Sequence, residues 1–303
     1  MDNAIKQLVI LSGKGGTGKT SVAAAFAHLA AQGDHRIQVV LADADVDAAN
    51  LELVLAPELE TRSEFWGGQV AQIDDSLCAG CGTCQTVCRF DAVHDHYGQY
   101  WIDPIACDGC AACVYQCPEE AIRMQPQLAG EWFCSQSRYG PLFHAALRPA
   151  QENSGKLVTV VKQNARLLAI DETIPLVLVD GPPGIGCPVI SAVSGADIAL
   201  IVAEPTAAGV HDMQRVLQTT DPFGVPALIC INKADIYLAG AAQIESYCQE
   251  HDIEVVGRVP FDTSVTQAMV QGQPITAYLP CAPASLALQD VWRKVFMALE
   301  RAS

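Results

Sequence analysis

The octet Gly13–Thr20, GKGGTGKT, constrains this 303-residue chain more than any other stretch. It follows the apolar run Leu8–Leu11, which reads as a buried parallel strand, and precedes Ser21–Ala30, which reads as a helix. Strand, glycine-rich loop and helix in that order make G-x-x-x-x-G-K-[ST] a phosphate-binding pattern and not merely a flexible turn. Gly13, Gly15, Gly16 and Gly18 let the backbone curl until several N–H groups face one anion, helped by the helix N-terminus. Lys19 is expected on the β- and γ-phosphates and the Thr20 hydroxyl on Mg²⁺, with Thr17 and Ser21 completing the loop.

Lys14 is a second lysine that an ordinary phosphate loop does not need. With it, the octet resembles the deviant Walker A ATPases: MinD, ParA, the Mrp cluster carriers and the nitrogenase iron protein. In that family the extra lysine reaches across a dimer interface to the partner's nucleotide. The resemblance therefore implies a nucleotide-dependent homodimer, with Lys14 and Lys19 both serving catalysis.

Further along, Ile37–Ala42 reads as a second strand running into Asp43, Asp45 and Asp47. Carboxylates at the end of a parallel strand beside a phosphate loop face the nucleotide crevice. By resemblance to the family's switch I, Asp45 positions the attacking water and Asp43 supports the metal; Asp47 reads as a helix cap. Leu176–Asp180 is another buried strand ending in an acid, which places Asp180 near Mg²⁺, and Gly181–Gly184 resembles switch II. Asn232-Lys233-Ala234-Asp235 at a strand end reads as a base-recognition loop. GTPases use the acid of such a loop to read guanine, whereas the MinD-like family uses the asparagine on adenine. The segment Gly257–Asp262, with Pro260 at the site, also resembles that family, so ATP is the expected nucleotide, on Asn232, Asp235 and Pro260.

From about Gly67 the composition changes. Cys78, Cys81, Cys84 and Cys88 form C-x₂-C-x₂-C-x₃-C, and Cys107, Cys110, Cys113 and Cys117 repeat it, with Pro118 following. Two copies of this spacing are the bacterial ferredoxin pattern, in which the fourth cysteine of each run ligates the other cluster. The expected sets are Cys78, Cys81, Cys84 and Cys117 for one [4Fe–4S] cluster, and Cys107, Cys110, Cys113 and Cys88 for the other. Arg89 stands where the first run's proline is expected, and a cation there would raise that cluster's potential. His94 and His96 read as part of a solvated loop between the halves. Thirteen cysteines without a signal-peptide layout argue for metal ligation in a cytoplasmic protein and against disulfides.

Charge narrows the partners. A net charge of −16 with only 18 Lys and Arg leaves no basic cluster for nucleic acid or an anionic membrane. The C-terminal stripe Leu286, Leu288, Val291, Trp292, Val295, Phe296 and Leu299 has helical spacing, but its polar face lacks the basic excess of a membrane-seeking helix, so it is expected to pack on its own domain. The expected architecture is an α/β P-loop domain, a mostly parallel sheet with helices on both faces, over residues 1–66 and 128–303. A small α+β two-cluster ferredoxin domain is expected as an insert over 67–127. The resemblance covers nearly the whole chain and implies an ATPase whose nucleotide state gates electron transfer through both clusters to a redox partner. Its competitor is an Mrp-like cluster assembly or carrier ATPase delivering to an acceptor protein, and a MinD- or ParA-type positioning protein is disfavoured by charge. Cys187, seven residues beyond Asp180, has the offset of a bridging ligand in the iron protein, yet an ordinary thiol is the plainer reading; the distant Cys134 is the other thiol that could join it.

Overall fold

The computed structural model describes residues 5–32, 36–149 and 154–302. Among these the chain divides into two compact units, one drawn from 5–32, 36–63, 132–146 and 154–302, the other from 64–131 and 147–149. In chain order the elements begin with β1 (Lys6–Ser12), α1 (Lys19–Ala31), β2 (Val39–Asp43), α2 (Leu51–Leu55) and β3 (Glu58–Ile73). Next come α3 (Thr83–Val87), β4 (Val93–His96), β5 (Gln99–Ile102), α4 (Ala112–Gln116), β6 (Ile122–Ser137) and β7 (Gly140–Leu147). The remainder alternates: α5 (Ser154–Asp171), β8 (Leu176–Pro183), α6 (Cys187–Val193), β9 (Ile198–Ala203), α7 (Ala207–Thr220), β10 (Ala227–Asn232), α8 (Leu238–Glu250) and β11 (Glu254–Val259). Three helices close the chain: α9 (Thr263–Val270), α10 (Ile275–Tyr278) and α11 (Pro283–Arg301).

The main sheet runs β11-β10-β9-β1-β8-β2-β7-β6-β3, with parallel pairing from β11 through β7. Its central strands read LVIL, VVLAD, LVLVD and IALIVA with almost every residue buried, as parallel strands covered on both faces must. α1 is alanine-rich and buried along Val22–Ala27, and these small side chains allow close approach to the sheet. α11 turns Leu288, Val291, Val295 and Leu299 into the same core, and Trp292 meets Phe26 at 5.0 Å. Burying each such aliphatic side chain contributes about 1.5–3 kcal/mol, so the C-terminal stripe is held by its own unit. Leu286 lies off that stripe, 50% exposed.

This topology gathers five chain segments at the carboxyl ends of the parallel strands. The glycine loop leaves β1, Asp43 ends β2, Asp180 lies near the end of β8, Glu204 follows β9 and Asn232 ends β10. Asp43 and Asp180 are register partners.

In the second unit, β4 and β5 form an antiparallel hairpin closed by Tyr97-Gly98, both at positive φ. His94 and His96 therefore lie in a strand, not a loop, although both are exposed; His94 sits 4.6 Å from the Trp101 ring. The halves of this unit interlock reciprocally: Asp74 N–H donates to Ala121, and Asp103 N–H to Ala92, each at 2.8 Å. Val70–Ile73 is the end of the long β3, and Gly130–Cys134 lies within the equally long β6. Each of these strands begins in one unit and ends in the other, which local pattern does not reveal.

Candidate functional site

A cavity of about 660 Å³ opens at the glycine loop, within the range of small-molecule sites. Gly15, Gly16, Gly18, Lys19, Thr20, Ser21, Asp45, Asn232 and Pro260 line it. Gly13, Lys14, Thr17, Asp43, Asp180 and Asp235 are not among its lining residues.

Two of the glycines are dictated by neighbours. A Cβ on Gly13 would stand 2.3 Å from the Asp212 Cβ of α7, so only glycine lets that helix pack here. Gly18 has φ +98°, and its Cβ would fall 2.3 Å from Asn232 Nδ2. That amide donates to the Thr17 carbonyl at 2.7 Å, tying the loop to the end of β10. Asn232, expected at the base, is thus a brace for the phosphate loop.

Glu204 and Lys233 complete the brace; the sequence motif contains Lys233 without giving it a role, and nothing in it points to Glu204. Glu204 accepts from Lys14 Nζ at 2.8 Å and from Lys233 Nζ at 2.5 Å, while Lys233 also donates to the Gly16 carbonyl at 3.0 Å. Burial pushes Glu204 up, but the two lysines outweigh it and hold the carboxyl below its usual value. Only the left-handed backbone of Lys233, φ +55°, hinted at a special role, and that is invisible in sequence. Asp235, expected at the base, accepts from Phe261 N–H at 2.6 Å through Oδ1, which fixes the loop carrying Pro260.

The acids divide by environment. Asp43 is fully buried and accepts from the N–H groups of Asp45, Asn50 and Leu51 at 3.1, 3.0 and 2.9 Å. Burial, and then the nearby Asp180, raises it well above the carboxylate range. Asp180 is 1% exposed, and neither of its oxygens has a hydrogen-bond partner. Burial pushes it up to about 6, against the pull of Lys19 and of the Thr20 hydroxyl, which lies close without reaching hydrogen-bond geometry. A buried carboxylate with open lone pairs beside the phosphate-loop threonine has the chemistry of a hard-cation ligand. Asp45 is raised by burial, with Lys19 opposing. Beyond switch II, Lys162 of α5 caps α6 by donating to the Ser191, Ala192 and Ser194 carbonyls at 2.7, 2.6 and 2.7 Å.

In the second unit the cysteines converge in two sets. Cys78, Cys81, Cys84 and Cys117 line one small cavity; Cys88, Cys107, Cys110 and Cys113 line another. The fourth cysteine of each run lies with the first three of the other, through the interlocked strands. Among the described residues no three His, Cys, Asp or Glu side chains could hold one metal ion. Cys187 is the exposed first residue of α6, and Cys134 faces Glu60 at 3.9 Å. No described helix is long and apolar enough to cross a membrane.

The family described as the CobQ/CobB/MinD/ParA nucleotide binding domain matches residues 8–275. An uncharacterized protein of Methanocaldococcus jannaschii is 36% identical over 232 residues, covering 76% of this chain and 78% of its own. The septum site-determining protein MinD of Bacillus subtilis is 29% identical over 156 residues, 49% of this chain and 58% of its own. MinD of Pyrococcus horikoshii, solved with Mg-ADP, shares the fold with TM-score 0.56 and 17% identity, covering 99% of both chains. With its glycine loop, paired acids and parallel sheet, the chain belongs to the CobQ/CobB/MinD/ParA nucleotide-binding family.

Proposed function

We propose that this protein is an ATPase in which nucleotide-dependent dimerisation gates electron transfer through two [4Fe–4S] clusters to a partner protein. The observation that carries the reading is that one chain joins a phosphate loop to two four-cysteine sets, each completed by the other run's last cysteine. Mg-ADP in the P. horikoshii relative, and the MinC-bound MinD of Aquifex aeolicus, support the nucleotide and the habit of acting through a partner.

Lys19 takes the β- and γ-phosphates, Thr20 and Asp180 take Mg²⁺, and Asp43 holds the acidic loop that presents Asp45 to the attacking water. Asn232 commits one amide proton to Thr17 and keeps the other for the base. Lys14 leaves Glu204 to serve the partner subunit's nucleotide. The cysteine sets suit cubane clusters, because each iron takes one thiolate and the four sulfurs need not converge on a single ion. When bound, such clusters supply one-electron storage and transfer. The chain's own task there is to hold eight thiolates in two sets and screen them with Ile73, Ile102, Ile122 and Met124.

The test is the reoxidation rate of the reduced protein, under anaerobic mixing, with Mg-ATP, Mg-ADP or a nonhydrolysable ATP analogue. A rate that separates the ATP state from the ADP state is expected. Identical rates in all three would overturn the gating.

A further inference from the structure

Outside the nucleotide cavity, three polar side chains from separate elements form a continuous relay, two of them, Ser135 and His144, buried and the third, Glu52, partly exposed. His144 of β7 places Nδ1 3.0 Å from the Glu52 carboxylate of α2, and Nε2 3.0 Å from the Ser135 hydroxyl of β6. A carboxylate only accepts, so Nδ1 carries the ring proton and Nε2 accepts from the serine O–H. Burial lowers the His144 pKa, Glu52 opposing, which keeps the imidazole in this neutral form. Serine, histidine and acid stand in the order of a hydrolytic triad. The serine, however, is 2% exposed, so its oxygen meets no substrate.

The position of Glu52 suggests another role. The two residues before it, Asn50 and Leu51, donate their backbone N–H groups to Asp43, so α2 hangs from the acid at the end of β2. The contacts therefore run unbroken from Asp43 through the start of α2, Glu52 and His144 to Ser135. β6, where they end, is the strand whose earlier residues belong to the cysteine-bearing unit.

We propose that Glu52, His144 and Ser135 form a strut that transmits the state of the acidic loop, Asp43 to Asp47, to strands β6 and β7. This rests on the nucleotide reading above, in which Mg-ATP engages that loop. A polar linkage suits the task better than apolar packing. Its two hydrogen bonds fix direction and length, and breaking either leaves a buried polar atom unpaired.

The experiment is amide hydrogen exchange on the full chain, with and without Mg-ATP, read over residues 132–147, alongside a separate titration of nucleotide affinity. In the wild type, Mg-ATP should slow exchange there by about tenfold. In Ser135→Ala and in Glu52→Ala the nucleotide-dependent difference should vanish while affinity stays within about twofold. Glu52 is partly exposed, so its variant tolerates the change even if the serine variant folds poorly. A strut that is merely structural would speed exchange equally in both states and keep the difference; that result overturns the proposal. So does nucleotide binding in the wild type with no change over 132–147. Failure to bind Mg-ATP at all would sink the nucleotide reading together with the strut, and the titration separates that case from the others.

Discussion

Beneath the phosphate loop lie Leu8, Ile10, Leu41, Leu178 and Leu200, all essentially inaccessible to water and part of one large core. Beneath the cysteine loops the buried apolar set is Ala71, Cys84, Val93 and Ile122, with Cys88, Cys107, Cys113 and Cys117 packed against it. The first site stands on a core that needs no ligand. The second has few buried residues, only Cys84 among its eight cysteines, and a core this small is marginal, so a bound group would add much of its stability. The two regions should therefore respond differently to loss of what they bind: an empty nucleotide cavity keeps its shape, and emptied cysteine sets lose theirs.

The largest expected effect follows from that contrast. Chelating the iron, or combining Cys84→Ser with Cys113→Ser, should expose the segment 64–131 to limited proteolysis while 154–302 remains protected. Equal protection of both regions would break the comparison. Next in size, Lys19→Ala should weaken Mg-ATP binding by at least about 100-fold, since a phosphate-facing charge is lost, with little change in the melting temperature. A variant that unfolds instead would mean the loop supports the core beneath it.

Asp180→Asn sharpens the contrast further. A carboxyl raised from 3.8 to about 6 keeps, in the folded state, a proton that the unfolded chain has lost. Its contribution to stability therefore falls as pH rises from 3.8 to about 6 and stays at its lowest above that. Removing the charge should stabilise the nucleotide-free protein at pH 7 by about 1–3 kcal/mol while weakening Mg²⁺-dependent binding. The stability gain should shrink as the pH is lowered toward 4. Urea denaturation across this range tests the sign. The smallest effect is that of Asn232→Ala: loss of the Thr17 brace and of the amide proton offered to the base should lower nucleotide affinity by roughly 10-fold, two modest hydrogen bonds' worth. No change would mean that the loop is held by Glu204 and Lys233 alone and that Asn232 does not read the base.

Much of this was legible in the chain because the determinants are local. The glycine octet, the paired cysteine runs and the apolar strands each declare themselves within a dozen residues. What escaped detection depends on distant partners. Glu204 gains its role from Lys14 and Lys233, and Asn232 braces Thr17, contacts made only when β1, β9 and β10 end side by side. Asp235 also holds the Phe261 backbone, a second contact that its place in the motif does not reveal. The lengths of β3 and β6 escaped because their sequences break pattern where they pass from one unit to the other.

The central claim is that one chain carries both a nucleotide site and two exchanged cysteine sets, each holding a four-iron cluster. Its most direct test is iron and acid-labile sulfide per chain in anaerobically prepared protein, compared between wild type and Cys88→Ser. The account predicts about eight irons in the wild type, four for each of two clusters. In the variant, iron should be lost from the set of Cys107, Cys110 and Cys113, with the set of Cys117 retained. Protein that binds Mg-ATP yet takes up no iron would contradict it.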